Sequence, residues 1–142
     1  MRPSFTITKN QKEKIQKRCT RIDALFGERR SLVPKIPSQD LFLFDLIIRG
    51  LSCWYTILIL EEAKHIFKQK PDIAKKYPSV RWRAMNRIRN EIVHQNGEVS
   101  DGEVYRLITQ DMVVLEKEIV KLKSYIDSLK INDPTIDTTQ QR

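Results

Sequence analysis

Arg89-Asn90-Glu91-Ile92-Val93-His94 holds the residues whose types and spacing are suited to chemistry. Histidine exchanges protons near neutral pH, and arginine is a permanent cation with a planar fork that fits a phosphate. An arginine and a histidine separated by four residues can therefore act on a phosphodiester without a metal. The spacing alone is weak, because many helices carry it by chance. A histidine at a helix end also complements the helix dipole, and an arginine in an apolar stripe can simply pair with a carboxylate.

Charge focuses attention on the same place. The 142-residue chain has a formal charge of +8. Between Lys64 and Arg89 lie nine basic residues and one acid, Asp72, so this stretch holds the whole excess. Lys75, Lys76, Arg81, Arg83 and Arg87 are the candidate polyanion-binding side chains within it, since such a run is the electrostatic footprint of a polyanion site. Its ordinary alternative is a solvated helix face.

The elements that must position these residues read as helices. The first is expected over Gln11–Phe26, with Gly27 as its stop and a loop over Glu28–Pro37. The second is expected from Ser38 or Asp40 to Lys70, ended by Pro71. Its first turns are apolar on nearly every side, which suits a bundle centre with one face covered by a second subunit. Asp45 and Arg49 are spaced to pair within it. The third is expected over Val80–Gln95, capped by Ser79. On it Arg89 falls inside the apolar side and His94 on the polar side, about 140° apart on the wheel. One helix joins them poorly, whereas two copies about a two-fold axis could build one composite site. Asn96-Gly97 marks a turn. Ser100-Asp101-Gly102-Glu103 opens a fourth helix, whose seam is Ile108, Met112, Leu115, Ile119, Leu122, Ile126 and Leu129.

The expected fold is all-α, an antiparallel bundle of four to five helices. Residues 1–10 are read as an N-terminal arm, 11–130 as a single helical domain, and 131–142 as a disordered tail. Leu41–Leu60 contains Asp45, Arg49 and Gly50 and is read as a buried helix, not a membrane span. Cys19 and Cys53 lack metal-ligand spacing and read as core residues of a reducing compartment. No leader segment is read at the start, and the expected location is cytoplasmic. Neither a metal cluster nor a Gly-rich phosphate loop is present in the sequence, and no cofactor is expected.

With its surroundings, the motif resembles the HEPN superfamily, and within it the HepT-like toxins. The resemblance rests on Tyr77-Pro78, Trp82-Arg83, Arg89-Asn90, Ile92-Val93-His94, Glu103-Val104-Tyr105, Asp111 and Leu115. It is detailed over Tyr77–Leu122, while Asp45–Arg49 and Glu62-Ala63-Lys64 match the family's second helix less closely. It implies a homodimeric, metal-independent endoribonuclease, with arginine and histidine of both subunits converging in an interface cleft. His94 would be the general acid or base at the 2′-hydroxyl and the leaving oxygen. Arg89 would hold the phosphate, and Asn90 would orient the site. The products would carry 2′,3′-cyclic phosphate and 5′-hydroxyl ends. The implied partners are RNA (tRNA or mRNA), a second copy, and an antitoxin such as a minimal nucleotidyltransferase. Asn96 stands where the family often has a tyrosine that accepts AMP, which an asparagine cannot do. A non-catalytic partner of a nucleotidyltransferase and a plain adaptor dimer are the competing readings.

Overall fold

The computed structural model describes residues 6–33, 38–94 and 99–132. Strand β1 (Thr6–Ile7) leads into α1 (Lys9–Leu32). Then come the short α2 (Gln39–Phe44), α3 (Leu46–Gln69), a 3-10 turn over Pro71–Lys76, α4 (Trp82–His94) and α5 (Asp101–Arg106). A π turn over Leu107–Asp111 passes into α6 (Met112–Ser128), and β2 (Lys130–Ile131) follows. The fold is the expected all-α bundle.

Local chemistry explains the boundaries. Thr8 opens α1 with a reciprocal capping box: its Oγ1 accepts from the Gln11 N–H at 3.1 Å, and Gln11 Oε1 accepts from the Thr8 N–H at 3.2 Å. Gly27, expected as a stop, lies inside α1, which runs on to Leu32. A mid-helix glycine costs only about 1 kcal/mol relative to alanine. Burial of Leu25, Phe26 and Val33 around it outweighs that cost.

The second expected helix is two helices. Asp45 leaves helical geometry and caps α3, its Oδ1 accepting from the N–H groups of Ile47 and Ile48 at 3.1 and 3.0 Å. The expected Asp45–Arg49 pair is therefore absent. Arg49 reaches Asp101 of α5 instead, at 2.8 Å. Pro71 ends α3 as expected and begins the 3-10 turn. Ser79 does not cap α4: its hydroxyl donates to Glu118 at 3.4 Å.

Helix α1 packs chiefly on α3 and next on α6. The small residues Ser52, Thr56 and Ala63 are fully buried on α3, which lets helices approach closely there. The expected seam holds without exception: Ile108, Met112, Leu115, Ile119, Leu122, Ile126 and Leu129 are all buried. Ser100 Oγ accepts from the Glu103 N–H at 3.1 Å, but Glu103 sends its carboxylate to Arg87 (3.5 Å), not back to the cap. The cysteines are free; Cys19 is buried and Cys53 half-buried.

The ends of the domain differ from expectation. Thr6–Ile7 pairs in parallel with Lys130–Ile131, and the Asn132 N–H donates to the Ile7 carbonyl at 2.8 Å. Lys12 Nζ donates to the carbonyls of Asp127 and Leu129 at 3.1 and 2.8 Å. Residues 6–10, expected in the arm, and 131–132, expected in the tail, thus belong to the folded unit. Residues 1–5 and 133–142 lie outside the described residues, as do Pro34, Pro37 and the Asn96-Gly97 turn. Among the described residues, no helix is long and apolar enough to cross a membrane.

Candidate active site

Helix α4 lies antiparallel on α3. The rings of Phe67 and Trp82 meet edge-on at 4.1 Å, near the end of α3 and the start of α4. Two turns along, Arg89 Nη2 donates to Glu61 Oε2 at 2.6 Å. This resolves the placement of an arginine within the apolar side of α4. Its side chain is only 20 % exposed, and a carboxylate on the facing helix neutralises it. Arg89 Nη1 also donates to Asn90 Oδ1 at 3.0 Å. The guanidinium is therefore gripped at both terminal nitrogens, which fixes the plane of the fork. Glu61 Oε1 in turn lies 3.6 Å from His65 Nε2, one turn further along α3.

His94 is the last residue of α4 and is exposed. It makes no hydrogen bond among the described residues. It stands five positions after Arg89, which on one helix means about 7.5 Å along the axis and about 140° around it. The structure places both at the same end of α4 but does not stack them. Within one chain, His94 and Arg89 present their functional groups to different sides of a common edge.

That edge borders an apolar surface. Ile47, Trp54 and Glu61 are spaced by sevens and share one face of α3. Ile47 is 74 % exposed and Trp54 57 %. On α4, Val93 lies one turn beyond Arg89 and is 44 % exposed. Large apolar side chains in water on either side of a half-buried ion pair are the mark of an association surface.

The basic residues from Lys75 to Arg87 sit in different surroundings. Arg83 is exposed. Arg87 lies 3.5 Å from Glu103. Lys75 is exposed on the 3-10 turn, and Lys76 Nζ sits 4.3 Å over the Tyr125 ring. Arg81 is a structural member: its Nε and Nη2 grip both oxygens of the buried Asp111 at 2.9 and 2.7 Å. That bond raises the Arg81 guanidinium further above its ordinary value. Arg83 stands eleven residues before His94, roughly 16 Å away along the helix.

Glu61 is the site residue that sequence reasoning missed. The available signal was the cost of Arg89 in an apolar stripe, which demands a carboxylate from a neighbouring helix. Tyr105 packs, meeting Phe42 edge-on at 5.6 Å. Asn96, where the family tyrosine often stands, lies outside the described residues. Among the described residues, no group of three or more His, Cys, Asp or Glu side chains could hold a metal ion.

The family model for "Ribonuclease HepT-like" proteins matches residues 15–122. The chain belongs to the HepT-like ribonuclease family. The match spans the helices that carry Glu61, Arg89, Asn90 and His94 and the seam through Leu122. No curated protein and no solved structure matches the chain. Membership of this family makes RNA the substrate class and a nuclease the activity to be tested.

Proposed function

We propose that this chain is a metal-independent endoribonuclease toxin of a toxin–antitoxin system, acting as a two-fold dimer. The observation that supports it best is the contrast between Arg89, held by Glu61 and Asn90, and His94, exposed at the helix end without a hydrogen bond among the described residues. A pre-set guanidinium costs no reorganisation when charge develops on a phosphate. An imidazole at that position can move a proton at the 2′-hydroxyl and the leaving oxygen. In this reading, Ile47, Trp54 and Val93 bury against a second copy, and one subunit's His94 works opposite its partner's arginine. The 2′-oxygen attacks the adjacent phosphorus and the 5′-oxygen leaves. The products are a 2′,3′-cyclic phosphate and a 5′-hydroxyl.

The test is cleavage of total tRNA in EDTA by wild type and by His94→Ala, with end-group analysis. Cleavage by wild type alone, leaving cyclic phosphate ends, is the expected result. Equal cleavage by both, or none by a folded dimer, refutes the proposal. A composite site adds a sharper outcome: mixing inactive Arg89→Ala and His94→Ala subunits restores part of the activity.

A second reading has one observation in its favour. Asn96 replaces the tyrosine that accepts AMP in HepT-like toxins, which fits divergence toward a non-catalytic partner of a minimal nucleotidyltransferase. Stable co-purification with such a partner and no RNase activity selects it. In either reading the protein works in the cytoplasm.

A further inference from the structure

Basic charge also gathers where the net-charge profile hides it. Lys14, Lys17, Arg18 and Arg21 of α1 line a cleft of about 470 Å³, facing Glu62 and His65 of α3. Their spacing by threes and fours stacks all four on one helix face. Like charges so placed repel, which costs an isolated helix a few tenths of a kcal/mol per pair. Only one of them is neutralised: Arg18 Nη1 donates to Glu62 Oε2 at 2.8 Å. Lys14, Lys17 and Arg21 are exposed and form no ion pair among the described residues. The cleft therefore presents three uncompensated cations on a concave surface.

Its position gives this charge a purpose. His65 lines the cleft and also approaches Glu61, the residue that holds Arg89. The cleft thus adjoins the candidate active site through a single side chain. No Phe, Tyr, Trp or aliphatic residue lines it. A protein partner would find no apolar anchor of the kind that dominates protein interfaces. A chain of regularly spaced phosphates needs only the cations.

We infer that this cleft is an RNA-backbone track, in which Lys14, Lys17 and Arg21 hold phosphates flanking the scissile one. The inference rests on the ribonuclease reading for its place in catalysis, but its binding role is read separately. The test uses Lys14→Gln/Lys17→Gln/Arg21→Gln, three exposed changes, with a thermal melt to confirm the fold. Binding is followed by fluorescence anisotropy with labelled single-stranded 2′-O-methyl RNA, which cannot be cleaved through its 2′-oxygen, at several salt concentrations. Each lost phosphate contact removes about 0.7 from the slope of log K against log salt for a single strand, so the slope falls by about 2. Near 0.1 M salt that corresponds to affinity lower by about 100-fold. Cleavage of a dinucleotide, too short to reach the cleft, stays at the wild-type rate, while KM for long RNA rises.

Unchanged affinity and slope overturn the inference. So does intact RNA binding with loss of an acidic antitoxin, which would make the cleft a protein dock. If wild type binds RNA with these properties and cleaves nothing, the ribonuclease reading fails and the track stands.

Discussion

Glu61→Ala separates a positioning role from a structural one, because the geometry predicts unequal effects on stability and on rate. The Arg89–Glu61 bond is short and charged, but Glu61 is 41 % exposed, so solvent screens the pair. Its loss should cost about 1 kcal/mol of stability or less, a shift of a few degrees in Tm. The rate is more sensitive. Without Glu61 the guanidinium keeps only its bond to Asn90, which lies on the same helix and no longer fixes the plane of the fork. Removing a preorganised donor outright costs about 100- to 1000-fold in kcat. Misorienting it forfeits part of that, so kcat for RNA cleavage should fall roughly 10- to 30-fold, or about 1.4–2 kcal/mol. KM should change little, because binding is spread over many phosphates. Glu61→Gln, which keeps an acceptor, should recover part of the rate. The assay is steady-state cleavage of a fluorogenic RNA beside a thermal melt. An unchanged kcat for Glu61→Ala, or a rate loss wholly tracked by lost folded protein, would refute the reasoning.

Further outcomes are expected. Trp54→Glu places a charge on the exposed apolar face of α3. It should give a monomer by sedimentation and abolish cleavage while RNA binding persists. Asp111→Asn removes the charge of a buried carboxylate held at two points by Arg81 and should destabilise by about 2 kcal/mol in denaturant titration. Arg83→Gln, at an exposed position, should weaken RNA binding and leave stability unmoved. Gly27 has open space where a Cβ would stand, so Gly27→Ala should raise stability by about 0.5–1 kcal/mol. Burial, with Asp23 nearby, pushes the Cys19 thiol up from 9.0 to about 12. The unfolded chain then loses this proton first, and stability falls as pH rises between those values. The contribution of this group is up to about 1.4 kcal/mol per pH unit. Cys19→Ala should flatten that part of the stability profile measured by urea melts.

Much of this architecture was legible from periodicity alone. The seam of α6 and the apolar side of α4 repeat over enough turns that packing could only be helical. Where the reading failed, the deciding force was short or distant. Asp45 and Arg49 have the spacing of a helix pair, but an aspartate gains more by accepting two backbone N–H groups at a helix start. The apolar residues on both sides hid that break. Gly27 looks like a stop until burial of its neighbours is weighed against its small cost. Strands of two residues have no period to detect. Arg81 reads as one more cation in a basic run, and only the buried carboxylate thirty residues away gives it a structural role. Arg89 signalled that it needed a partner, but not which carboxylate would supply it.

The pairing of β1 with β2 has a consequence for how the molecule is made. Thr6 and Lys130 are among the most distant contacts in the chain, so closing them carries a large loop entropy. During synthesis, a chain that has emerged as far as α5 lacks the strand that pairs with β1. It also lacks the carbonyls of Asp127 and Leu129 that Lys12 holds. These contacts therefore form only when Ile131 leaves the ribosome, whereas α1 can already pack on α3 and pair Arg18 with Glu62.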